Sequence, residues 1–108
     1  MIDGVDILAM RQRQFLVHSY LYYVLDEVII ADFKYDRICK ELYELQQEKP
    51  GEGPYWELCK ELDASGSGFF LKEDDYPWNV VVTALELLWQ ATDKDIPFRN
   101  FYSKYGFV

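Results

Sequence analysis

Two neighbouring tyrosines, Tyr22 and Tyr23, are followed after a short link by Asp32, Tyr35 and Asp36. Offsets of three and four residues put the second group on one side of a helix turn. A tyrosine ring has an electron-rich face that attracts a flat cation, worth about 0.5–2 kcal/mol per contact. A carboxylate accepts bonds from hydroxyl and amide N–H groups and favours positive charge beside it. Together these groups can hold a flat, positively charged molecule that carries hydroxyls. The same residues admit a plainer reading. Tyr22 and Tyr35 at helical spacing are ordinary core or boundary residues. Asp32 is an ordinary helix N-cap, and Asp36 with Lys40 is an ordinary i,i+4 surface pair. Spacing alone does not choose between the two.

Other reactive groups are sparse. His18 is the single histidine, so no Ser-His-Asp or Cys-His set can be assembled, and it reads as a surface or half-buried helix residue. Cys39 and Cys59 are the two cysteines. They are too few for a zinc site and read as buried free thiols. Lys72-Glu73-Asp74-Asp75 reads as a solvated charge run. Gly66 and Gly68 lie in a serine-rich linker and follow no strand, so they form no phosphate-cradling loop. With no nucleophile beside an activating base, the chain is not expected to be an enzyme on its own, nor to hold a metal.

The composition sets the class. A chain of 108 residues, half of them apolar and 18% aromatic, suits one ordered domain with a packed core. A net charge of −8 argues against direct nucleic-acid binding, which needs Lys and Arg to neutralise phosphates. It also argues against an anionic membrane surface. No stretch approaches the roughly 20 apolar residues of a membrane span. Met1 to Met10 carries Asp3 and Asp6 without a basic start, unlike a signal peptide. A soluble cytoplasmic protein is the expectation.

The elements that must position the tyrosines and carboxylates are helices. Apolar spacing predicts helices near 6–25, 32–48, 54–63, 78–91 and 97–105. Asp6, Asp32 and Asp95 stand where caps belong, and Lys49-Pro50-Gly51 and Gly106 where helices stop. Leu8, Phe15 and Tyr22 recur every seven residues along the first helix. Val28 to Ile30 is a β-branched link. Val81, Leu85, Leu88 and Trp89 form one stripe. Phe98, Phe101, Tyr102 and Tyr105 give the last helix an aromatic face. The fold class is all-α, a small four- to five-helix domain over residues 1–108, with a helical hairpin at 12–50 and additional helices at 51–108.

The stretch Tyr22-Tyr23-Val24-Leu25-Asp26, then Ile30-Ala31-Asp32-Phe33-Lys34-Tyr35-Asp36-Arg37, resembles the N-terminal helical domain (domain Ia) of bacterial NAD-dependent DNA ligases. The family pattern is Tyr-Tyr/His-x-x-Asp, a short acidic-proline link, then Ile-x-Asp-x-x-Tyr-Asp. It continues here as Glu41-Leu42, Leu45 and Pro50, so that the likeness covers about Gln12 to Pro50. Val28 stands where the family usually has Pro, Ile29 where it has an acidic or small residue, and Lys34 where it has Glu. In the family this domain holds the nicotinamide mononucleotide half of NAD and aligns it as leaving group for the catalytic domain.

The resemblance implies cofactor-binding roles for Tyr22, Tyr23, Asp32, Tyr35 and Asp36. It implies a stand-alone module for nicotinamide mononucleotide or NAD, with a ligase catalytic chain as the fitting protein partner. The family's nucleotidyltransferase signature, Lys-x-Asp-Gly, is missing, since Lys72-Glu73-Asp74-Asp75 lacks the glycine. Ligase activity by itself is therefore not expected. The alternative is a protein–protein adaptor, of the sort a phage or prophage carries as an accessory. In it the nucleotide site is vestigial and the aromatic C-terminal half, with Trp78, Phe98, Phe101 and Tyr105, is the working surface.

Overall fold

A computed structural model describes residues 4–63, 70–92 and 95–103, without the side chains of 4–6 and 102. Helix α1 spans Gly4–Ser19 and passes into a wider π turn at Tyr20–Val24. Helix α2 is Asp32–Glu48, and α3 is the single turn Trp56–Cys59. A 3₁₀ turn at Glu73–Asp75 leads to α4, Trp78–Thr92, and α5, Phe98–Ser103. No strand occurs among the described residues, so the all-α expectation holds.

Helix α1 lies between α2 and α4 and packs on both. That position explains the unbroken run Phe15-Leu16-Val17, all buried: a helix covered on two sides needs apolar residues around most of its circumference. From α2 come Cys39 and Leu42, from α3 Cys59, and from α4 Val80, Val81, Ala84, Leu85 and Leu88. Both cysteines are free and buried, as expected. Burial pushes the Cys39 thiol up to about 11 and the Cys59 thiol up to about 12, so both stay neutral and unreactive at ordinary pH.

Several elements differ from expectation. The first helix does not run as one α-helix to residue 25. The π turn takes an extra residue, and Leu25 N–H bonds back to the Tyr20 carbonyl at 3.1 Å. Leu8 and Phe15 are fully buried, but this change of register carries Tyr22, seven residues on, out to 48% exposure. Asp6 lies inside α1, which already begins at Gly4. Asp32 is not the cap of α2. Ala31 is extended and its carbonyl accepts from the Lys34 and Tyr35 N–H groups, so Asp32 is the first helical residue. At α5 the Pro97 carbonyl accepts from Asn100 and Phe101, while Asp95 sits in the preceding turn.

The aromatic residues expected on the C-terminal surface divide between core and surface. Phe101 is fully buried, and Phe98 is half-buried between it and Trp89. Trp78 is exposed; Tyr105, the stop at Gly106 and the linker glycines lie outside the described residues. The run Lys72 to Asp75 is exposed, as expected. It is folded into its turn by the Lys72 N–H donating to the Asp75 carboxylate at 2.8 Å.

Candidate functional site

Two helix ends meet where the π turn gives way to the link and α2 begins. The π turn closes with Glu27 N–H on the Leu21 carbonyl at 2.8 Å, and Asp26 between them has φ 56°. This is a left-handed helix stop of the Schellman type, widened by one residue. Aspartate tolerates that conformation better than most side chains. The chain then turns sharply and runs through Val28, Ile29 and Ile30 to the start of α2.

The result is a cleft of about 250 Å³, open to solvent. Tyr22, Tyr23, Asp32, Tyr35 and Asp36 all line it, so the structure brings all five sequence-predicted residues together. Leu21, His18, Glu27, Val28, Ile29 and Ile30 complete the wall.

The rings are ordered relative to one another. Tyr22 and Tyr35 lie almost parallel, at an interplanar angle of 13° with centroids 6.4 Å apart. Tyr23 stands edge-on to Tyr22 at 4.8 Å. Parallel faces orient a flat ligand in one plane. The Tyr35 hydroxyl is committed behind the cleft, 2.8 Å from the buried Ser19 hydroxyl. Burial raises the Tyr35 hydroxyl far above its ordinary value, so this residue offers a ring face and not an anion. Tyr22 and Tyr23, at 48% and 39% exposure, are the accessible rings.

Asp32 and Asp36 are exposed and line the cleft. Asp32 begins α2, where the helix N-terminus favours negative charge. Asp36 lies one turn on and makes no ion pair with Lys40; the ion pairs among the described residues are Arg11–Glu41 at 2.7 Å and Lys60–Glu57 at 2.9 Å. Such an arrangement can stack a flat ring on tyrosine while aspartates accept from hydroxyl or amide N–H donors.

Sequence reasoning missed two polar members of the wall. His18 precedes Tyr22 by four residues, a helical spacing that could have signalled it. It is half-buried as expected, and burial lowers its pKa below the ordinary 6.5. Glu27 had no such signal, because its direction depends on the left-handed turn at Asp26.

Comparison with known proteins converges on this region. Residues 7–52 match the family model of the DNA ligase-like, N-terminal NAD+-binding domain. A DNA ligase of Heliobacterium modesticaldum is 42% identical over 48 residues, 44% of this chain and 7% of that ligase. A DNA ligase of Roseiflexus castenholzii is 46% identical over 39 residues, 36% of this chain and 5% of that ligase. One of a Thermoanaerobacter species (strain X514) is 48% identical over 33 residues, 31% of this chain and 5% of that ligase. The matched segment thus spans under a tenth of the curated relatives. No solved structure matches the chain. Among the described residues no helix is long and apolar enough to cross a membrane. Every residue lining the cleft falls within the segment, residues 7–52, that matches the N-terminal NAD+-binding domain of DNA ligases.

Proposed function

We propose that the cleft binds the nicotinamide half of NAD, as nicotinamide mononucleotide or as intact NAD, and that the chain is a cytoplasmic binding module without ligase activity by itself. One observation carries the reading: Tyr22, Tyr23, Asp32, Tyr35 and Asp36 line a single cleft inside a segment that matches an NAD+-binding domain. Oxidised nicotinamide is flat and cationic, so it stacks on Tyr22 or Tyr35 through cation–π attraction. Asp32 and Asp36 accept from the ribose hydroxyls or the carboxamide NH2 and offset the ring charge. A ligase catalytic chain is the partner that would use a nucleotide held this way.

Isothermal titration with nicotinamide mononucleotide and NAD, alongside thermal melting, tests this. Tyr22→Ala should weaken binding by about 1–3 kcal/mol through lost stacking. It should hardly alter folding, because Tyr22 is half exposed. Tyr35→Phe keeps the ring and loses the bond to Ser19, so it should cost about 1 kcal/mol of stability and leave affinity near wild type. Absence of any heat or melting shift at millimolar ligand would sink the reading. A stable AMP adduct on any lysine after incubation with NAD, seen by mass spectrometry, would contradict the lack of ligase chemistry.

The adaptor reading draws on a different observation. Val28 in the cleft wall is 61% exposed, Phe33 in the first turn of α2 is 62% exposed, and Trp78 is 54% exposed. Exposed apolar side chains of this size suit a protein partner. That role leads if the titration shows no nucleotide binding.

A further inference from the structure

The π turn has a close competitor, a regular α-helix continued through Val24. Wide turns of this kind are rare and occur mostly singly, so the contacts made by Tyr20–Val24 decide which register wins. Tyr22 and Tyr23 are exposed in the cleft wall. Tyr20 is buried and is not part of that wall.

The residue that meets Tyr20 comes from beyond residues 7–52, the segment that matches the ligase family. Tyr76 sets its ring against Tyr20, with centroids 5.0 Å apart and planes at 74°. Rings attract one another in this edge-to-face arrangement. Tyr76 is buried between the 3₁₀ turn and α4, and its backbone is fixed from both sides. Before it, the Lys72 N–H closes the 3₁₀ turn on the Asp75 carboxylate. After it, Pro77 keeps Tyr76 extended, with ψ 125°. The Pro77 carbonyl then accepts from the Val80 and Val81 N–H groups at the start of α4, and α4 packs on both α1 and the π turn.

Electrostatics place the same groups together. Burial, and after it the nearby Tyr23 phenol, hold the Tyr76 hydroxyl above its ordinary value. Burial and then the Glu73 carboxylate, from the same 3₁₀ turn, raise Tyr20. The Tyr76 hydroxyl has no hydrogen-bond partner among the described residues. A buried hydroxyl left unpaired opposes folding, so the ring and not the hydroxyl accounts for this residue's place.

Resting on the nicotinamide reading above for what the cleft holds, we propose that Tyr76 is a positioning residue for the cleft. Its ring braces Tyr20 from behind, holds the π turn against the α-helical register, and so keeps Tyr22 and Tyr23 outward. The half of the chain outside the ligase-like segment thereby takes part in shaping the site.

Amide hydrogen exchange of the full chain tests this without ligand. The readout is protection of the Leu25 and Glu27 N–H groups, which close the turn on Tyr20 and Leu21, relative to Leu42 N–H inside α2. Tyr76→Leu should lower that ratio about tenfold or more, by local opening of the turn. Tyr76→Met should act in the same direction if the leucine variant does not fold. Tyr76→Phe should match wild type in the ratio and melt no lower. Phe101→Leu truncates a buried ring in α5 and should leave the ratio unchanged. Titration with nicotinamide mononucleotide should then show about five- to tenfold weaker binding for Tyr76→Leu, and wild-type affinity for Tyr76→Phe and Phe101→Leu. A ratio unmoved by Tyr76→Leu, or moved equally by Phe101→Leu, would overturn the proposal, since Tyr76 would be an ordinary core residue. Wild-type affinity in a Tyr76→Leu protein with a loosened turn would overturn it too. If wild type binds no nucleotide while the exchange contrast holds, the brace is supported and the nicotinamide reading alone fails.

Discussion

His18 is the titratable residue whose environment most directly couples the cleft to folding. It lines the wall, and burial lowers its pKa from 6.5. The sign follows from proton counting. Below pH 6.5 the unfolded chain takes up a proton that the folded chain still refuses, so the unfolded state binds more protons there. This residue's contribution to stability is therefore complete above 6.5 and declines as pH falls toward the lower folded value. The ring keeps partial contact with solvent, which screens and so reduces the decline. Melting wild type and His18→Gln at pH 7 and pH 5 should show a larger acid loss in wild type. Equal losses would mean that His18 titrates normally. A bound nicotinamide cation would add to the effect, because it also opposes protonation of its neighbour.

At the scale of the element, the end of the first helix matters most. A regular α-helix through Val24 would have kept Tyr22 on the buried stripe of Leu8 and Phe15. The π turn and the left-handed stop at Asp26 instead carry Tyr22 and Tyr23 outward and bring Glu27 back toward Leu21. Asp26 thus shapes the cleft without lining it. Asp26→Gly should keep or slightly raise stability, since glycine adopts positive φ freely. Asp26→Val should cost about 1–2 kcal/mol, because a β-branched residue resists that conformation. Thermal melting reads both, and nucleotide titration of the valine variant should show weakened binding if the turn sets the tyrosines. A valine variant as stable as wild type would argue against the left-handed stop.

For the whole molecule, the question is how residues beyond the matched segment are joined to it. A buried pair of glutamines does much of this. Gln12 Nε2 donates to Gln46 Oε1 at 3.1 Å and to the Glu52 carbonyl at 3.2 Å, while Gln12 Oε1 accepts from Tyr55 N–H at 3.0 Å. Gln46 Nε2 donates to the Cys59 carbonyl at 2.9 Å. The two amides therefore tie α1, α2 and the turn into α3 together. Gly53, at φ 93°, passes so close to the Gln12 carboxamide that a Cβ would collide with it. Gln12→Ala leaves several buried partners unsatisfied and should cost about 2–4 kcal/mol. Urea unfolding should show a lower midpoint with one cooperative transition, because α4 packs on the same α1. A loss under about 0.5 kcal/mol would show that water replaces the amide without penalty.

The helical class, the helix limits to within a few residues and the buried cysteines were all legible in the sequence, because they depend on local spacing and on residue type. The five candidate site residues were legible only through their resemblance to a known pattern, since Tyr22 at a core spacing and Asp32 at a cap position read equally well as structure. Tertiary structure decided the rest. Whether Tyr22 faces core or solvent depends on the one-residue widening of the first helix at Tyr20–Val24, which packs on α4. Whether Asp32 caps its helix depends on Ala31 being extended. The membership of His18 and Glu27 in the cleft, and the role of Gln12 and Gln46 at the centre of the fold, depend on which distant backbone groups arrive beside them. Side-chain amides and carboxylates look alike in any sequence; only the burial of their surroundings distinguishes a solvated group from a structural or ligand-facing one.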